Sequence, residues 1–310
     1  MAIDPSVAGP FPATLAVQAA LAAALCWTVS SLLWRRCPTS LSSARLNLLK
    51  NLIALGLQWP VLLLFPWQGS QVALAQLALS GVVGIALGDS LYFAALRRIG
   101  TRRSLTLDAG GPAVTTAVGV VLLGELPRLS QWIGIGLISA AIVLVARQRP
   151  ATEPSHPANA ASGQRDRLGV CLALGALLCG SAGALLARAA LLGGEVHPVQ
   201  AATLRLGAAA LVMLPLLRGM VLRSRGPRPS QRRWPLMVLA TLLGTSVGIV
   251  LQQIALSGLP GGLAVSLLST APVMALPLAH LEGDRPGWAG LVSALLALLG
   301  ISLVAGVLPP

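Results

Sequence analysis

The chain has 310 residues, 55% of them hydrophobic and 10% charged, with a mean hydropathy of +0.80. Soluble domains carry about 25% charged residues, so this balance excludes a soluble globular protein and reads as a polytopic membrane protein. The net charge of +13 and pI of 11.6 would suit a nucleic-acid binder, but the basic residues sit in short loops between apolar runs, where membrane topology places them. No nucleic-acid partner is expected.

A membrane-spanning helix needs about 20 mainly apolar residues. In chain order the runs that meet this scale are 14–34, 41–65, 72–96, 104–123, 131–147, 168–190, 199–222, 235–256, 262–281 and 286–308. The N-terminal MAIDPSVAGPFPA lacks the basic flank of a secretory signal, so the first run is expected to stay in the membrane. Connections are short except for 148–167, a Pro- and Ala-rich linker. It separates a five-span unit, 14–147, from a second five-span unit, 168–308. The four cysteines, Cys26, Cys37, Cys171 and Cys179, form no C-x-x-C pair and read as small packing residues.

The two units look like repeats. An offset of 160 pairs Arg45 with Arg205, Gly84 with Gly244, Gly88 with Gly248, Ala95-Leu96 with Ala255-Leu256, and Pro112 with Pro272. An offset of 156 pairs Trp132 with Trp288, and one of 153 pairs Cys26 with Cys179 and Arg35 with Arg188. Loop charge adds an independent test. The loop between spans 2 and 3 holds no Lys or Arg, while the loop between spans 3 and 4 holds Arg97, Arg98, Arg102 and Arg103. In the second unit the order reverses: the basic loop, with six arginines from Arg218 to Arg233, lies between spans 7 and 8. Five spans is an odd number, so related units must enter the membrane in opposite senses, and their loop charges must invert. With both termini outside, the cytoplasmic loops hold seventeen arginines and the outer loops only Arg128 and Arg188. The expected fold is therefore all-α and integral to the membrane: ten transmembrane helices as two inverted-topology five-helix repeats, N- and C-termini out.

The stretches GIALGDSLYFAALRRIGTRRS, GGPAVTTAVGVVLLGELPRLSQWIGIGLISAAIVLV and LQQIALSGLPGGLAVSLLSTAPVMALPLAHLEGDRPGWAGLVSALLALLGISLVA resemble the EamA family of the drug/metabolite transporter superfamily. The resemblance runs from about 14 to 308. It lies in an Ala-Leu before the loop after span 3, a proline within span 4, a Gly-Glu at its end, a Gly-rich fifth span, and a second half on the same plan. It departs at LEGD, where Glu282 or Asp284 could match Glu125, and in a thin aromatic content. The resemblance implies a secondary active transporter, an exporter of small metabolites such as amino acids across a bacterial inner membrane. Transport would proceed by alternating access at a midplane site. Two alternatives stay open: a flippase for lipid-linked substrates from the same superfamily, and a non-transporting membrane scaffold.

Charges inside spans carry the candidate chemistry, because each costs at least ~2.5–3.5 kcal/mol in the bilayer centre and needs a partner or a wet cavity. Lys50, Asp89 and Asp108 fall at similar depths from the cytoplasmic edge. Asn47, Asn51 and Gln58 share a helical face beside Lys50. Lys50, Asn47, Asn51 and Asp89 are expected to line the cytoplasmic half of a central cavity, with Asp89 a ligand for a substrate amine or a titrating site. The competing reading is an ion pair, Lys50–Asp89 or Asp108–Arg103, that only locks helices. Tyr92 next to Asp89, Arg205 at the start of span 7, Gln252 at the end of span 8, and kinks at Pro112 and Pro272 complete the candidate substrate-binding or coupling set. Glu125, Glu282 and Asp284 read as end caps of spans 4 and 9, and Gly175, Cys179, Gly183 and Ala187 as a packing stripe. No P-loop, catalytic triad or metal-ligand cluster is present, so no enzyme activity, cofactor or metal is expected. The expected partners are a small-molecule substrate, the lipid bilayer and protons as coupling ion; monomer and homodimer both stay open.

Overall fold

In the computed structural model the residues described are 11–35, 42–64, 68–147, 162–217, 233–281 and 288–306. The loop arginines Arg36, Arg149, Arg218–Arg232 and Arg285, the linker residues 148–161, and Glu282 and Asp284 lie outside them. Every regular element among the described residues is helical. The chain enters as α1 (Ala13–Arg35) and α2 (Ser43–Leu62). Next comes α3 (Gln71–Ser80), which passes without interruption into a π-helical segment, Gly81–Asp89, and then into α4 (Ser90–Asp108), which is broken at Gly100 (φ 76°, ψ 167°) between one span and the next. It continues through α5 (Gly111–Leu123), α6 (Leu129–Arg147), α7 (Ser162–Leu191) and α8 (Pro198–Met213). The next stretch is α9 (Arg233–Thr241), a second π-helical segment, Leu242–Val247, and α10 (Gly248–Gly258). The chain closes with α11 (Gly261–Leu268), α12 (Ala271–Leu281) and α13 (Trp288–Val304).

Six stretches are long and apolar enough to cross a membrane: Ala13–Trp34, Gln71–Gly100, Arg103–Leu123, Leu129–Arg147, Arg167–Leu191 and Trp234–Gly258. Pro198–Met213, Gly261–Leu276 and Trp288–Val304 are shorter apolar helices. The protein is thus an all-helical integral membrane protein. Its outer surface carries exposed Leu and Val side chains, with Trp59, Trp234 and Trp288, as lipid-facing helices do.

Several boundaries differ from the sequence reading. Helix α7 begins at Ser162, inside the expected linker, and α8 stops at Met213, well before residue 222. The kinks are a larger difference. Pro112 and Pro272 do not bend continuous helices; each lies in the first turn of a new one, α5 or α12. A proline there sacrifices no intrahelical bond, since first-turn N–H groups lack partners anyway. The breaks fall just before, in tight turns where Gly110 N–H donates to Leu107 O at 3.1 Å and Thr270 N–H to Leu267 O at 3.2 Å. These two turns stand at the 160-residue offset, as do the overlapping π segments around Gly84 and Gly244.

Small residues set how close the helices come. The Gly183 backbone abuts that of Gly84, Cys179 lies against Gly88, and Gly169 against Ile99, so the chain through Gly81–Gly100 runs antiparallel to α7. Gly244 and Gly248 admit Ser30 and Trp27, and Gly258 admits Ala16, which seats α1 antiparallel to α10. Helices α6 and α13 cross where Gly134 and Gly300 face each other. A Cβ on either would stand 2.8 Å from the other's carbonyl oxygen. Gly300→Ala should force this crossing apart and lower the unfolding midpoint of the detergent-purified protein by on the order of 5 °C. Gly136→Ala, whose added Cβ meets nothing within 4 Å, should leave the midpoint unchanged.

Candidate functional site

Among the described residues, two clusters built on ion pairs interrupt the apolar interior. The first is built on the return from π to α geometry at Asp89. Lys50, on α2, reaches Asp89 with Nζ–Oδ2 at 2.6 Å. The same ammonium sits 5.6 Å from the Phe93 ring centre, a cation–π distance. Tyr92 packs at a tilt beside Phe93, 6.3 Å between centroids, and lies within electrostatic range of both Asp89 and Asp108. The pair is only partly enclosed, with the side chains of Lys50 and Asp89 13% and 36% exposed.

Arg205 approaches the same carboxylate from α8. It is 3% exposed, within electrostatic range of Asp89, and its Nη1 donates to Gln252 Oε1 at 3.1 Å. Its Nε has no hydrogen-bond partner. Its backbone fits directly against Gly81 and its guanidinium lies beside Gly84. Arg205 therefore lies well within α8, not at its start, and Gln252 lies within α10, not at its end. Gly88, the neighbour of Asp89, rests on Cys179. Cys179 is about 15 Å along α7 from Gly169 and a little more from Leu191, so the cluster sits near mid-height of the helices.

The polar stripe of α2 points inward as expected and is enclosed by packing, with Asn47 Oδ1 and Asn51 Oδ1 left without hydrogen-bond partners. Asn47 and Asn51 are fully buried. Asn47 Nδ2 donates to the Ile85 carbonyl at 2.8 Å and to Ser90 Oγ at 3.2 Å. Asn51 Nδ2 has only a long contact to the Met213 sulfur, 4.0 Å. Gln58 Nε2 donates to the Ser246 carbonyl at 2.9 Å, and Thr203 Oγ1 donates to Gln58 Oε1 at 3.3 Å. Asp108 ends α4, two residues before the turn at Gly110, and Pro112 and Pro272 lie beyond the turns on their own strands of the chain. Of the predicted set, the structure thus brings Lys50, Asp89, Tyr92, Asp108, Arg205 and Gln252 together, with Asn47 and Asn51 as the packing behind them.

The second cluster is one the sequence reading treated as caps and loops. Glu125 is 4% and Arg188 0% exposed, and Arg188 Nε donates to Glu125 Oε1 at 2.8 Å. Arg188 Nη1 donates to the carbonyls of Leu256 at 2.9 Å and Ser257 at 3.1 Å. Glu125 Oε2 accepts the Gly261 N–H at 2.7 Å. Arg188 is therefore interior and does not belong to an outer loop. The available signal was the charge pair itself, but 63 positions separate its members and each stands at a helix end, where loop residues look the same. Near this end His197 caps α8, its Nδ1 accepting the Val199 N–H at 3.3 Å, and partial burial lowers its imidazole below the ordinary value.

An all-helical membrane protein with a mid-height charge cluster between broken helices has the build of a solute carrier. The EamA-like transporter family model matches residues 14–147 and again 167–306. The chain belongs to that family, in keeping with the drug/metabolite transporter superfamily, and is a membrane transporter with a small-molecule substrate. A solved structure described only as a crystal structure of a protein is similar over 94% of this chain and 96% of its own, with a TM-score of 0.74 and 16% identity. That likeness establishes a shared fold and nothing finer. Comparison with curated proteins gives no match.

Removal of either charge of the Lys50–Asp89 pair should cost stability that removal of both largely recovers. A double-mutant cycle on Lys50→Met and Asp89→Asn, read by thermal unfolding in detergent, should give a coupling of roughly 1 kcal/mol. That value lies between exposed and buried pairs, as the partial enclosure requires.

Proposed function

We propose that the protein is a secondary active transporter that exports small metabolites, amino acids among them, by alternating access. Its ten spans form two inverted five-helix repeats, 14–147 and 168–308, joined by the linker 148–167. Both termini lie outside a bacterial inner membrane. The observation that carries the reading is the mid-height cluster of Lys50, Asp89, Tyr92, Asp108, Arg205 and Gln252. Charges at that depth are expensive and are retained where a solute or an ion must be bound. The matched breaks at Gly110 and Thr270, and the matched π segments, support the repeat and its discontinuous helices.

In this reading Asp89 holds a proton or a cationic group of the solute, Arg205 and Gln252 engage its polar part, and Tyr92 and Phe93 form an aromatic wall. Lys50 occupies Asp89 while the site is empty. Protons are the coupling ion in this reading, and a cationic group of the solute displaces Lys50 from the Asp89 carboxylate.

Proteoliposomes of wild type and Asp89→Asn, loaded with pooled amino acids and metabolites and given an imposed pH gradient, test this. Wild type should move at least one solute faster with the gradient than without it. Asp89→Asn should lose gradient dependence while remaining monodisperse. Gradient-driven transport that survives the substitution would remove Asp89 from coupling. No transport of any pooled solute by folded wild type would count against the exporter reading. Arg205→Gln should weaken solute binding by on the order of tenfold or more, since a charge-assisted hydrogen bond is lost.

A further inference from the structure

We infer that the Glu125–Arg188 pair is the outer gate of the transport pathway, holding the protein in a conformation closed to the outside. The inference rests on the alternating-access reading above.

Glu125 contributes to this cluster from the first half. One of its oxygens takes Arg188 from α7, and the other takes the Gly261 N–H at the start of α11. Arg188 in turn holds the last carbonyls of α10, at Leu256 and Ser257. A single carboxylate therefore latches the end of α5 onto three helices of the second half. Gly119, one turn and a half back along α5, lets the Glu125 side chain fold inward, its Oε2 only 3.4 Å from where a Cβ would stand. One turn further in, Gly262 packs directly on Thr116, so α5 and α11 are in close contact behind the latch.

The opposite end is arranged differently. There α4 of the first half packs on α7 of the second, and α12 of the second half packs on α1 and α6 of the first, so the halves meet at that end through helix packing. The ion pair adds a polar tie between the halves at the end where Glu125, Arg188 and Gly261 meet. It stands about 15 Å along α7 from the level of Asp89, at the height expected for a gate and too far away to serve as part of the solute site. The Ser70 N–H bond to Glu195 Oε2, 3.0 Å, ties two further connections at this same end. Exposure of the central cluster to this side requires α5 to leave α11, and that requires Glu125 to release both Arg188 and Gly261.

The test uses the full chain with Cys26, Cys37, Cys171 and Cys179 replaced by alanine and a reporter thiol at Thr116→Cys. A membrane-impermeant thiol reagent is applied to the outside of intact cells and, separately, to inverted membrane vesicles. Glu125→Gln should raise the rate of outside labelling on the order of tenfold, with little or no rise from the inside. Arg188→Gln should do the same, and the double variant should add little to either. Labelling needs no substrate, so a rise in outside access without detectable transport would leave the gate standing and count only against the transport reading. If Glu125→Gln proves unstable, Glu125→Asp decides. It keeps the charge but is too short to span Arg188 and Gly261 together, and a gate predicts an intermediate labelling rate. Wild-type labelling in the folded fraction of these variants, whatever their yield, would make the pair a structural lock and overturn the inference.

Discussion

Backbone polar groups in a lipid environment must find partners within the protein, because no water reaches them there. Much of this fold follows from that constraint. Among the described residues the chain departs from α geometry at two π segments and at the breaks around Gly100, Gly110 and Thr270, and such departures leave carbonyl groups without helical donors. At the π segments and beside the Thr270 turn, side chains from α1 and α2 supply them. Asn47 takes the Ile85 carbonyl, Trp27 the Gly244 carbonyl at 2.9 Å, Gln58 that of Ser246, and Thr28 that of Ala271 at 2.8 Å. The polar residues of the first two helices are thus the reason the later helices can be broken at all.

The two charge clusters contrast in how completely they are satisfied. Arg188 has a carboxylate and two carbonyls, and Glu125 has a guanidinium and a backbone N–H. Loss of one member of such a buried pair leaves an uncompensated charge, a cost of about 3–5 kcal/mol. Arg205, just as deeply buried, has a neutral amide and an unpartnered Nε. Its nearest carboxylate, Asp89, is held by Lys50. The Glu125–Arg188 cluster is therefore saturated, while the mid-height one retains an unused donor on Arg205.

Much of this was legible in the chain. The apolar runs, the arginine-poor and arginine-rich loops, and the offset between Pro112 and Pro272 are one-dimensional patterns set by bilayer thickness and insertion. Lys50 and Asp89 stood out because charge inside an apolar run is costly anywhere in the bilayer. The packing stripe of Gly175, Cys179 and Gly183 was visible because small residues recur at helical spacing, and α7 does use it against the segment around Gly84. The π segments were not legible. Gly84 and Gly244 mark them only in hindsight, since a shift of helical register depends on a neighbour being ready to take the freed carbonyl.

The sequence by itself determined that this chain is a helical membrane protein and which residues carry charge into its apolar runs. Those properties depend on local composition and on the fixed thickness of the solvent. Only the tertiary structure decided which charges meet. Glu125 and Arg188 became a buried latch, and Asn47 and Asn51 became packing, because partner choice depends on how helices far apart in the chain approach. That approach is set by close backbone contacts such as Gly84 with Gly183 and Gly134 with Gly300, and a stripe of small residues shows that a helix will pack closely without showing which distant helix it meets.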